Sequence, residues 1–171
     1  MKKLAYLIPL LSLWIGTANA QKFAFVDTDY ILKSIPTYES AQEQLDIMSK
    51  EWQSEIESKY AEIDQLYKEF QAEKVLLTED MKQKREEEIV QKEKAAKDLQ
   101  KKYFGPDGDL FKKRQELVKP IQDDIFNAVK EIAIDGNYAI IFDASGGTNM
   151  LYSDPKFDKS DEVLQKLGFK N

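Results

Sequence analysis

The stretch from Thr37 to Phe70 limits the possible folds more than any other part of the chain. Apolar residues fall at Ala41, Leu45, Met48, Trp52, Ile56, Tyr60, Ile63, Tyr67 and Phe70. These eight steps of three or four residues span 29 positions, a mean close to the helical period, so one helix face stays apolar with little supercoil. Glu43, Glu51, Glu55, Glu57, Glu62 and Glu69 lie between them, and no glycine or proline interrupts. Ala41 to Phe70 makes about eight turns, where helices of globular proteins average about 3–4.

Val75-Leu76-Leu77 breaks this pattern, and Thr78 then reads as an N-cap with Glu79 and Asp80 in the first turn. A second helix is predicted through Met81, Ile89, Val90, Ala96, Leu99 and Tyr103. The outgoing helix carries 4 basic and 10 acidic residues from Thr37 to Leu77, and the returning one 8 and 7 from Thr78 to Tyr103. A chain that runs out as a helix, turns and comes back as a helix makes an antiparallel hairpin. Each arm has about 40 residues and is about 60 Å long.

Gly105-Pro106-Asp107-Gly108 interrupts the return. A last helical stretch runs through Leu110, Phe111, Leu117, Val118, Ile121, Ile125, Val129 and Ile132, with an irregularity at Pro120. Counting back from the turn, the return draws level with Thr37 near Val118. Gly136-Asn137 ends the helix.

The remaining segments are short. Lys22 to Asp27 reads as a strand, and Asp27-Thr28-Asp29 offers caps for a brief helix through Tyr30, Ile31 and Leu32. Tyr138 to Phe142 reads as a second strand. Ser145 to Thr148 reads as a turn, and Asn149-Met150-Leu151-Tyr152 as a strand that completes a β-hairpin. Asp158 or Ser160 caps a final helix, Glu162 to Leu167, stopped by Gly168. Three short strands hold little apolar surface and leave open edges. Identical bases sharing one closed sheet would remedy this, so Phe23, Phe25, Ile140, Phe142 and Leu151 are expected to form an oligomerisation body. The fold class is α+β: a long helical hairpin on a small β-rich base.

The first twenty residues read differently. Lys2 and Lys3, the apolar run Leu4 to Ile15 and the small residues Ala18-Asn19-Ala20 make a secretory signal peptide, cleaved before Gln21. The chain has no cysteine, so it has neither an acylation site nor disulfides, and stability rests on packing and oligomerisation. Charged residues make up 33% of the chain, at a formal net charge of −6. Removing Lys2 and Lys3 takes that to −8, which argues against nucleic acid as a partner.

Histidine is absent as well, which removes the commonest general base and, with cysteine, the commonest zinc ligands. Ser145, followed by Gly146-Gly147, has no conventional activating base. The two glycines lack the lysine and following helix of a phosphate loop. Asp27, Asp29 and Asp143 lie near strand ends, where caps and turns account for them. No catalytic residue, cofactor or metal site is read here, and an enzyme is the least favoured class. Leu66, Tyr67, Val75, Leu76, Leu77 and Met81 exceed what one narrow seam can hide, so they are the candidate surface for apolar partners.

With the strand Phe23–Asp27, the charged helical hairpin and the closing stretch from Tyr138 through Asp154-Pro155 to Glu162-Val163-Leu164, the chain resembles the Skp/OmpH family of periplasmic chaperones. The resemblance covers nearly all of the chain beyond the leader. It implies a homotrimer with a β-barrel-like body (21–37 and 117–171) and three helical tentacles (38–116) around a cavity. It also implies a holdase that keeps unfolded outer-membrane proteins from aggregating without ATP, and a transient contact with the membrane surface. The chain is acidic where well-known members are basic, and no lipopolysaccharide site is carried over. A structural spacer between envelope layers and an envelope protein binding one folded ligand are the alternatives.

Overall fold

The computed structural model describes residues 21–146 and 151–170. The signal peptide read in residues 1–20 lies outside them. The protein is mostly helical with a small two-stranded sheet. In chain order the elements are β1 (Lys22–Val26), α1 (Thr28–Lys33), α2 (Pro36–Glu73), α3 (Glu79–Phe104), α4 (Asp109–Leu117), α5 (Lys119–Asp135), β2 (Tyr138–Asp143), a 3-10 turn (Pro155–Phe157) and α6 (Ser160–Lys166).

Each boundary has a local cause. The Asp27 side chain caps α1 by accepting from the Tyr30 amide at 3.0 Å. Pro36 opens α2, where its missing N–H is harmless. Thr78 caps α3 by accepting from the Met81 amide, with Glu79 and Asp80 in the first turn. The return helix stops at Gly105 and divides again at Val118, so three helices stand where the sequence suggested two. Asn137, at φ 52°, takes the left-handed step that turns α5 into β2. The Asp158 side chain accepts from the amide and the hydroxyl of Ser160 at the start of α6.

α2 and α3 lie side by side in opposite directions. Lys74 meets Glu86, the Lys92 ammonium donates to Glu62 at 2.7 Å, and Tyr103 stacks on Trp52. Ile63, Phe70, Ile89 and Ala96 are buried between the two helices, with Leu66 and Leu77 packed against them. Nearer the base, Ala41 and Leu45 of α2 close on Val118, as the residue count from the turn requires.

The main core lies at the base. Val26, Ile31, Leu32, Ile35, Ile125, Ala128, Ile132, Val163 and Leu164 bring β1, α1, α5 and α6 together. Burying each large aliphatic side chain contributes about 1.5–3 kcal/mol. β1 and β2 pair in parallel, with Phe23 opposite Ile140 and Phe25 opposite Phe142. The far side of β1 carries one isolated bridge, from Phe25 to Asp158.

Among the described residues no strand from the expected β-hairpin pairs with β2. Asn149 and Met150 lie outside the described residues, but Leu151 and Tyr152 are irregular and exposed. The neighbour of β2 is β1, from the other end of the chain. Asn149-Met150-Leu151-Tyr152 after a glycine turn resembled a strand, and among the described residues the distant β1 is the partner that pairs with β2.

Candidate functional site

Two apolar surfaces stand out on an otherwise charged molecule. The first is on the α2/α3 pair. Leu66 and Leu77 turn inward against the buried Ile63, Phe70, Ile89 and Ala96. The other candidate binding residues face solvent. Val75 and Leu76, in the turn between the helices, are 88% and 83% exposed, and Tyr67 and Met81 are about half exposed. The predicted set therefore divides: two residues close the turn and four remain on the surface. Val90 and Tyr60, outside that set, are exposed on the same helices.

Charges cover the remainder of the pair. The hydrogen bond from Lys92 and its nearby charge lower the Glu62 pKa, and the same bond raises that of Lys92. The Tyr103 hydroxyl donates to Glu55 at 2.9 Å, which holds the phenol pKa above its usual value. Tyr103 lies flat on Trp52 at 4.7 Å between ring centres, and Phe104 meets Trp52 edge-on at 6.4 Å. Sequence reading placed Trp52 and Tyr103 on separate apolar stripes and missed this three-ring clasp. Nothing local in the sequence pairs two rings on different helices.

The second surface is the outer face of the sheet. Ala24 and Val26 point into the core, so Phe23 and Phe25 must point away from it. The parallel register places Ile140 and Phe142 beside them, with the Phe23 and Phe142 ring centres 6.5 Å apart. Four of the five residues expected at an oligomerisation face thus share one face of the sheet. Leu151, the fifth, is fully exposed and belongs to no strand. A groove of about 670 Å³ runs along this face, bounded by Phe23, Phe25, Tyr138, Phe142, Tyr152 and Phe157. Phe126 and Ile134 on α5 are also exposed and were missed. Their spacing of eight residues places both on one helix face, a periodic signal beside the stripe that was read.

Among the described residues no cluster of carboxylates could hold a metal. Asp143 instead accepts from the Thr28 hydroxyl at 2.7 Å and the Ser145 amide at 3.0 Å. Burial pushes its pKa up, and the hydrogen bonds from Ser145 and Thr28 outweigh that and leave it lowered. The Ser145 hydroxyl lies between Asp143 and Thr28 in the same turn.

The profile of the outer membrane proteins described as OmpH-like matches residues 22–167, from the first residue of β1 to one residue past α6. The chain belongs to the Skp/OmpH family. An uncharacterized protein of Aquifex aeolicus (strain VF5) is 29% identical over 167 residues, covering 98% of this chain and 96% of that one. A crystal structure from Caulobacter crescentus CB15, of a candidate outer membrane chaperone described as OmpH-like, superposes with a TM-score of 0.66. It covers 86% of this chain and 84% of its own at 11% identity, a likeness of fold alone.

Proposed function

We propose that the protein is an ATP-independent holdase of the periplasm that binds unfolded outer-membrane proteins between helical arms and keeps them from aggregating. The observation that carries this reading is the apolar set Tyr67, Val75, Leu76 and Met81, exposed on a helix pair otherwise covered in charge. Leu66 and Leu77 support that set from behind. Weak and distributed apolar contacts suit a partner without fixed structure, and holding one requires no catalytic group. Family membership supports the chaperone class.

On this reading residues 1–20 are a cleaved export signal. Residues 38–116 form the tentacle, and 21–37 with 117–171 form the body. Phe23, Phe25, Ile140, Phe142 and Leu151 meet their equivalents in two further copies, so the body closes as a barrel-like trimer. The protein is not an enzyme and uses no cofactor. One feature favours a second reading, a spacer with a fixed envelope partner: α2 runs unbroken for 38 residues.

The deciding experiment dilutes an outer-membrane β-barrel protein from urea into the chain, without nucleotide, and follows light scattering. Suppression that saturates near three chains per client supports the trimeric holdase. No suppression by a folded, oligomeric protein overturns it in favour of the spacer.

A further inference from the structure

The two flanks of the α2/α3 pair differ in chemistry. At about 100° per residue, Glu51, Glu55, Glu62, Glu69 and Glu73 fall on one side of the buried row Ile56, Ile63 and Phe70. Gln53, Tyr60, Tyr67 and Gln71 fall on the other side. The Lys92–Glu62 bond identifies the flank of α3 that belongs with the glutamates. Val90 and Phe104 lie on the opposite flank of α3, where Glu86 meets Lys74. Tyr60, Tyr67, Val90 and Phe104, all exposed, therefore share one side of the pair. On the glutamate side Leu66 and Leu99 are partly covered, and the exposed Met81 stands at the turn end with Val75 and Leu76.

The tyrosine flank is a row of separate stations. The Lys92–Glu62 and Trp52–Tyr103 contacts set Val90 near the level of Tyr67, and Phe104 near that of Gln53. Tyr60 lies between, so apolar side chains recur about every 10 Å along the shaft. Glu86, Glu93 and Lys97 of α3 stand among them. A folded partner or a second arm needs a contiguous face of about 800 Å². Stations divided by charge do not supply one, whereas a chain without fixed structure can reach each in turn. Tyrosine offers a large, rigid contact at low entropic cost. Gln53, Gln71 and Gln100 on the same flank carry amides able to donate to and accept from a backbone that has no ladder partner. Covering the glutamate flank would instead take a row of carboxylates out of water.

We propose that the arm binds unfolded polypeptide on this flank alone. Tyr60, Tyr67, Val90 and Phe104 take apolar side chains of the client, and the glutamate row keeps the opposite flank in water. The inference rests on the holdase reading above and extends its surface from the turn down the shaft of the arm.

Site-specific photo-crosslinking on the full chain tests this directly. The photoreactive residue p-benzoylphenylalanine replaces Gln53 or Gln71 on the tyrosine flank, or Glu51 or Glu69 at the same heights on the other. Each protein is mixed with an outer-membrane β-barrel protein diluted from urea and irradiated. The expected result is several-fold more client adduct from the two glutamine positions. In the light-scattering assay, the combined variant Tyr60→Ser, Tyr67→Ser, Val90→Ser is expected to need about tenfold more chain for half suppression. The control Glu51→Ser, Glu69→Ser is expected to match the parent within about twofold. Equal adducts from both flanks overturn the one-sided surface, and so does parental suppression by the folded serine triple. Where the parent suppresses aggregation and either of these results appears, the holdase reading stands without this surface. A folded parent that suppresses nothing overturns both.

Discussion

Single residues on this molecule span the whole range from full burial to almost no contact. Ile31 has no exposed surface, while Val75 and Leu76 at the far turn touch almost nothing. Ile31→Ala is therefore expected to cost about 2–5 kcal/mol in urea unfolding. The double change Val75→Ser, Leu76→Ser should stay within about 0.5 kcal/mol of the parent. If those two side chains capture clients, the same double variant will suppress less aggregation at equal stability. Unchanged suppression would move the binding surface elsewhere. Residue-scale signals were legible wherever they were local. The caps at Asp27 and Thr78 bond to amides three residues on, so the sequence carries both partners. The Trp52–Tyr103 stack was not legible, because its register depends on how two helices meet.

At the scale of elements, α2 was the easiest to read and the sheet the hardest. A period held without interruption leaves no alternative to a helix. The pairing of β1 with β2 has no such signature, since parallel strands are joined by long crossovers and not by a recognisable turn. The Gly105–Gly108 break was visible as composition, but its tightness was not. Both glycines have ordinary negative φ, so the requirement is for space. A Cβ on Gly108 would lie 2.7 Å from the Tyr103 carbonyl and 2.9 Å from the Gly105 nitrogen, both backbone atoms. Gly108→Ala is accordingly expected to destabilise by about 1–3 kcal/mol, as overpacking does. A denaturation midpoint equal to the parent's would mean that the joint can yield.

The whole molecule lacks any side chain whose ordinary pKa falls between about 5 and about 8.5, because it has neither histidine nor cysteine. Its shifted groups act at the two extremes. The hydrogen bond from Lys170 helps lower Asp161, and Asp143 is lowered as well. Stability from lowered carboxylates is fully present above their unfolded pKa of about 4, and is lost as pH falls through the folded value. Lys92, Lys159, Lys166 and Lys170 are raised, chiefly by hydrogen bonds to carboxylates. Their contribution is present below about pH 10 and is lost as pH rises through the folded value. Melting temperature should therefore be flat from about pH 5.5 to about pH 9 and fall on either side. A slope near neutrality would expose a group that this fold does not account for. The parallel sheet, finally, bears on the order in which the chain can fold. Thr28 and Asp143, joined across the end of β1 and β2, are 115 residues apart in sequence. The helices between them can form as they emerge, since their contacts are local or close at one turn. The base cannot close until the last quarter of the chain is present. A chain delivered N-terminus first would thus complete α2 and α3 while β1 still lacked its partner, so ribosome- or translocon-stalled fragments ending before Tyr138 should be helical but without a closed core.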